Sequence, residues 1–270
     1  MKLGVLVPLD TNIDAEFAKL QKYGFESCQL KVWDDALKTD EKAEEVVRAK
    51  EKYGIEITAL WCGWDGPKPW NFTDGPQLLG LVPAAFRFTR MKNLMRGADF
   101  AKKIGVTDIA THMGFLPENP GTTEFHEVVS AIGVVAKYMA ENDQYLLFEA
   151  GQETPTTLLR TIQAVGTGNL GINLDTANLI LYGKGNPVDA LDVFGAYVRN
   201  THIKDGFFPT DGMQLGKQVP VGEGKVDFAA VIKKLKALNY QGALTIEREI
   251  TGEQQLKDIL AAKDYIEKLL

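Results

Sequence analysis

The chain is poor in the residues that build several common kinds of site. It has two cysteines, Cys28 and Cys62, and three histidines among 270 residues. Two such cysteines cannot form a disulfide framework and lack metal-binding spacing, so both are expected as buried thiols in a reducing compartment. There is no CxxC pair, no serine nucleophile elbow and no Walker-type or GxGxxG stretch. Gly183-Lys184-Gly185 and Gly222-Glu223-Gly224 are too short to cradle a phosphate. No window approaches 18 uninterrupted apolar residues, which argues against a membrane span. The run Leu3–Pro8 behind Lys2 is too short for a signal-peptide core and lacks a small-residue cleavage site, so the cytoplasm is the expected location. A basic excess is missing as well. With 30 Lys and Arg against 36 Asp and Glu, the net charge of −6 repels a phosphate backbone and argues against nucleic acid as a partner.

What remains is ordinary globular material, 45% hydrophobic and 24% charged. Strand-like runs fall at Leu3–Pro8, Ser27–Trp33, Ile57–Trp64, Asp108–Met113, Tyr145–Ala150, Gly171–Asp175, Val198–Ile203 and Ala243–Arg248. Helix-period stretches alternate with them: Asp14–Tyr23, Lys38–Tyr53, Ala84–Ile104, Glu124–Glu141, Pro155–Ala164, Val188–Ala196, Phe228–Leu238 and Glu253–Leu270. Several helices close on Lys and then Gly, as at Lys52-Tyr53-Gly54, where a left-handed glycine stops the last turn. Eight such units predict a single-domain α/β fold over residues 1–270, a (β/α)8 TIM barrel, with a doubly wound open sheet as the alternative. Two connections, Asp65–Pro83 and Gly206–Lys225, are too long for minimal loops. Both follow strands, and both are expected to be functional lids.

Four successive strands end on a metal-ligating residue: Glu149, Asp175, His202 and Glu247, spaced 26, 27 and 45 residues apart. A Glu or Asp at a strand end is commonly a helix cap, so each is weak alone; the coincidence on neighbouring strands is the signal. Three carboxylates converging on one pocket repel one another, and a divalent cation relieves that repulsion. Carboxylates with one imidazole suit Mn²⁺, Mg²⁺ or Co²⁺ and can accept Zn²⁺.

These residues carry a resemblance. Phe148-Glu149, Leu174-Asp175-Thr176, Thr201-His202-Ile203-Lys204-Asp205, Gly222-Glu223-Gly224 and Thr245-Ile246-Glu247-Arg248 resemble the motifs of the xylose isomerase-like TIM barrels. That superfamily holds sugar isomerases, ketohexose 3-epimerases, inosose dehydratase and endonuclease IV. The resemblance implies one divalent ion, most often Mn²⁺, on Glu149, Asp175, His202 and Glu247. It also implies that Glu149 and Glu247 exchange a substrate proton as an acid/base pair through a metal-stabilised cis-enediolate, and that the chain assembles as a homodimer or homotetramer. Ketohexose epimerases carry a histidine three positions after the metal-binding Asp, where this chain has Asn178. The three-metal cluster of endonuclease IV needs more histidines than His112, His126 and His202 supply. The expected function is therefore isomerisation or epimerisation of a small sugar or sugar phosphate, with an inosose-type dehydratase as the alternative on the same site.

Substrate contacts are expected from His112, Lys204, Glu223, Gln152 and, through an aromatic wall, Trp33 and Trp61. Lys204 could instead pair with Asp205, Glu223 could be a plain turn residue, and Gln152 or its neighbour Glu153 could belong to the start of the helix opened by Pro155. His126 is expected on the surface.

Overall fold

A computed structural model describes all 270 residues. The strands are β1 (Lys2–Pro8), β2 (Ser27–Val32), β3 (Glu56–Cys62), β4 (Asp108–Thr111), β5 (Tyr145–Glu149), β6 (Leu170–Asp175), β7 (Val198–Ile203), β8 (Asp205–Gly206), β9 (Gln218–Val219) and β10 (Ala243–Ile246). Eight of them, all parallel, close in the order β1-β10-β7-β6-β5-β4-β3-β2. The architecture is the TIM barrel. The helices are α1 (Ile13–Lys22), α2 (Asp40–Tyr53), α3 (Gly75–Leu78), α4 (Ala84–Lys103), α5 (Thr123–Ala140), α6 (Pro155–Val165), α7 (Asn178–Leu181), α8 (Pro187–Phe194), α9 (Phe228–Ala237) and α10 (Glu253–Glu267).

Helix starts are written locally. Asn12, Thr39, Thr122, Thr154, Asn186 and Asp227 each accept a hydrogen bond from the backbone N–H three residues on, filling an otherwise orphaned donor. At the other end, Gly54 (φ 66°) ends α2 and donates to the Lys50 carbonyl. The eight expected strands and eight expected helices are present with ends shifted by at most three residues, the largest shift at the end of α10. The additions lie inside loops. They are the short α3 and α7, two 3-10 turns, and the antiparallel β8–β9 ribbon.

The main core fills the layer between strands and helices, a cluster of 60 buried apolar residues. The barrel interior is different. Its apolar cluster is only Trp61, Ala110 and Leu147, flanked by Leu6, and the rest of the lumen is polar: Gln29, Asp108, Asn173 and Asn200 are all buried. A register irregularity between Ile172 and Asn173 on β6 re-aims that strand's end, and beyond it Asp175 pairs with His202.

The Asp65–Pro83 loop, expected as a functional lid, is pinned to α4 and brings Trp70 to the cavity. The fully buried Arg90 of α4 donates to the carbonyls of Asp65 (3.1 Å), Pro67 (3.0 Å), Leu78 (2.7 Å) and Gly80 (2.7 Å), and its guanidinium lies 4.0 Å from the Trp64 ring centre. Gly80 (φ 68°) passes so near β4's exit that a Cβ there would sit 1.9 Å from the Met113 carbonyl oxygen. Arg90→Met strips these carbonyls of their charged donor. It is expected to cost about 3 kcal/mol or more and to open residues 66–80 to limited proteolysis, read by peptide mapping.

Candidate metal centre

Period-2 alternation puts the expected ligands on the inner surface of the barrel at the C-terminal ends of four adjacent staves, β5, β6, β7 and β10. One ligand atom each from Glu149, Asp175, His202 and Glu247 lies within 4.8 Å of every other, and all four residues are buried or nearly so. His202 Nδ1 is 3.1 Å from Glu149 Oε1, 3.2 Å from Glu247 Oε2 and 3.8 Å from Asp175 Oδ2.

The donors fit a divalent ion. Asp175 spends Oδ1 on the backbone N–H groups of Ala177 (2.8 Å) and Asn178 (2.7 Å), which opens α7. Its Oδ2, like Glu247 Oε2, is sealed from solvent with no hydrogen-bond partner. Buried carboxylate oxygens left in that state are costly unless a cation faces them. A divalent cation also offsets most of the charge. Lys204, 2% exposed, places Nζ 3.6 Å from both Asp175 and Glu247 and 3.0 Å from Glu249, so the four carboxylates of Glu149, Asp175, Glu247 and Glu249 with one ammonium and a divalent cation sum to −1. Protons take that role otherwise. Burial lifts the Asp175 carboxyl to about 7 even against Lys204, and although burial opposes it, the charges of Glu149 and Glu247 lift His202 to about 10. A divalent ion that binds here is expected, at 100 times its Kd, to add about 2.7 kcal/mol of stability, a Tm rise of roughly 5–10 °C measurable by calorimetry after chelation and reloading.

Glu149 is held on both oxygens. Oε2 accepts from the Trp61 indole N–H and lies 3.4 Å from His112 Nε2, while Oε1 accepts from Asn178 Nδ2 at 3.3 Å. Burial would raise this carboxyl, but the imidazoles of His112 and His202 outweigh it and draw it down to about 2. Asn178 in turn accepts from Lys204 Nζ at 3.0 Å, tying two site residues together. Thr176 locks β6 to β7, donating to the Lys204 carbonyl (2.6 Å) and accepting its N–H (3.0 Å).

A cavity of about 1180 Å³ opens onto this centre. Trp33, Trp61, His112 and Lys204 line it as expected, and Trp70, Tyr182 and Lys31 join them. The rings form a continuous wall, with Trp33 4.8 Å from Trp61 and Trp70 5.0 Å from His112. Lys31 follows Gln29 by two residues on the inner face of β2, and its ammonium helps hold Glu247 low. Alternation along β2 could have marked it; Trp70, arriving from a long loop, carried no such signal.

Two expected substrate contacts lie elsewhere. Glu223 is exposed on the Gly222–Gly224 turn and does not line the cavity. The turn is organised instead by Asp205, whose carboxylate accepts from the N–H groups of Gly206, Gly222, Gly224 and Val226 at 2.8–3.1 Å. Asp205 therefore does not pair with Lys204. Gln152 is 1% exposed, behind the cavity surface against Tyr182, with both amide atoms unpartnered. Glu153 is equally buried, and the helix cap is Thr154. His126 is exposed on α5.

A family model described as xylose isomerase-like TIM barrel matches residues 17–269. The chain belongs to that family. A solved member-like structure, a xylose isomerase domain protein from Planctomyces limnophilus, superposes on this xylose isomerase-like barrel with a TM-score of 0.93 at 33% identity, covering 99% of this chain and 96% of that one. A D-tagatose 3-epimerase-like protein shares the fold at a TM-score of 0.78 and 18% identity, covering 100% and 97%. Among curated sequences, an uncharacterized protein of Methanocaldococcus jannaschii is 24% identical over 99% of this chain and 90% of its own length. No helix of this family member is long and apolar enough to cross a membrane.

Proposed function

We propose that this protein is a divalent-metal-dependent isomerase or epimerase of a small sugar or sugar phosphate, with Mn²⁺ as its ion and Glu149 and Glu247 as the acid/base pair. The observation that supports this best is the placement of the two glutamates. They occupy the outer two of four consecutive ligand-bearing staves, with Asp175 and His202 between them, so they approach a bound sugar from different sides. A divalent ion in this centre supplies a Lewis acid for the charge that develops on an α-hydroxy carbonyl as its carbon-bound proton leaves.

The chain supplies the rest. One glutamate takes the proton from the carbon beside the carbonyl, and the other delivers a proton to the opposite face, which inverts that centre. If a single glutamate serves, or the proton moves to the neighbouring carbon, the result is aldose–ketose isomerisation. Lys204 and Lys31 offer cationic donors to substrate oxygens, and the Trp33–Trp61–Trp70 wall packs against the C–H face of a sugar while excluding water. The cavity also extends between α1 and α10, where Leu20, Tyr23 and Leu256 line it.

Incubation of the Mn²⁺-loaded protein with a panel of ketoses and their phosphates in D₂O tests the reading. Deuterium at C3 supports epimerisation and deuterium at C1 or C2 supports isomerisation. Growth of an enone absorbance without exchange would replace the proposal with a dehydratase, and no exchange on any ketose would overturn it.

A further inference from the structure

A hydrogen-bonded chain runs through the barrel lumen from the metal centre to the opposite face. His202 Nε2, the ring nitrogen turned away from the carboxylates, lies 2.9 Å from Gln29 Oε1 on β2. The other end of that amide, Nε2, donates to Asn173 Oδ1 at 3.0 Å and approaches Asn200 Oδ1 at 3.5 Å and the Thr201 carbonyl at 3.4 Å. The Thr201 carbonyl can only accept, which fixes the amide orientation and points Oε1 at the imidazole. Asn200 Nδ2 donates to Asp108 Oδ2 at 2.9 Å, and Asp108 Oδ1 accepts from Arg199 Nε at 3.0 Å. Arg199 is 36% exposed at the N-terminal end of the barrel, stacked 3.5 Å from the Tyr145 ring centre. Its stem lies where β6 has Gly171; a Cβ at that position would sit 2.8 Å from Arg199 Cδ.

Barrel interiors are usually filled with branched apolar side chains, and the N-terminal face serves stability. A buried file of Gln, Asn and Asp in that place calls for another reason, because each partly satisfied amide there costs more than an apolar residue. The chemistry of the centre supplies one. An imidazole ligates through a bare nitrogen, and the hydrogen bond on its other N–H decides which nitrogen is bare. Gln29 Oε1 can only accept, so it holds the His202 proton on Nε2 and leaves Nδ1 facing the three carboxylates.

We infer that Gln29, Asn200 and Asp108 are positioning residues for the metal centre. They form a file that orients His202 from the far end of the barrel and sets its tautomer for ligation through Nδ1. The inference rests on the reading of the centre as a divalent-metal site, but not on which sugar reaction follows.

Binding of Co²⁺ to the chelator-stripped full chain, followed by its visible absorption and by calorimetry, tests the inference without substrate. Gln29→Leu is expected to weaken Co²⁺ binding 10–100-fold and to change the visible band. Gln29→Glu, which keeps an acceptor for Nε2–H, is expected to recover most of that loss. Asp108→Asn, which retains size and removes the charge holding Asn200, is expected to weaken binding several-fold. Wild-type affinity and band shape in Gln29→Leu and Asp108→Asn would overturn the inference. The ¹⁵N-histidine spectrum of the Zn²⁺-loaded wild type is a second readout that needs no variant: a proton on Nε2 of His202 supports it, and a proton on Nδ1 overturns it. A wild-type chain that takes up no divalent ion overturns this inference together with the proposed function. Metal uptake without ketose exchange overturns only the latter.

Discussion

Glu247→Gln is expected to lower kcat for substrate inversion by about 10²–10⁴-fold, and Glu149→Gln by a comparable factor. The amide keeps the size of the side chain and one oxygen for the ion, but it neither accepts a carbon-bound proton nor returns one. Each single variant retains a carboxylate on one side of the sugar. Deuterium exchange from that side should therefore outlast inversion, and the ratio of exchange to inversion should rise in both. The double variant is expected to fall little below the weaker single, because groups that act as a unit are lost together. Saturating Mn²⁺, with binding measured separately, keeps reduced metal affinity from mimicking the effect. Full kcat for inversion in Glu247→Gln at saturating metal would remove the glutamate from the chemistry.

Folding stability is expected to fall as pH rises through the neutral range, with Glu153 as a large contributor. Its carboxyl is 2% exposed, neither oxygen has a hydrogen-bond partner, and burial pushes it from 4.5 up to about 8. The sign follows from proton counting. Between the two values the folded chain holds a proton that the unfolded chain has released, so raising the pH favours unfolding. At pH 7 the contribution reaches roughly 3 kcal/mol, at about 1.4 kcal/mol per pH unit above the unfolded value. Glu153→Gln keeps the shape and cannot ionise. Its urea midpoint should match the wild type near pH 5 and exceed it increasingly up to pH 8. Equal pH slopes in the two proteins would show that the carboxyl finds a cation or water in solution.

The buried carboxyl of Glu153 sits one residue before a well-formed cap, Thr154, and behind the cavity rather than in it. From the letters alone, Gln152 reads as a substrate contact because it follows a strand that ends on a candidate ligand. Strand proximity does not say which way the chain turns once the strand has ended. The same limit explains Glu223. Two glycines flank it in one of the motifs that carry the resemblance, but the turn is built to satisfy Asp205, and the glutamate between them points to solvent.

Alternation and spacing alone determined much of this protein: eight strands, eight helices, and four candidate ligands closing consecutive strands. Those features are local, since period-2 and period-3.6 patterns and capping residues act within a few positions of chain. Only the closed barrel decided the rest. Gln29 meets His202 across the lumen, Lys204 pairs with carboxylates from the ends of two other strands, Trp61 donates to Glu149, and Arg90 pins a loop whose carbonyls lie up to 25 residues away in sequence. None of these pairings has a sequence period. Each exists because a sheet that curls shut brings the inward faces of distant strands into one low-dielectric space, where every polar group must find its partner among whichever residues the curvature delivers.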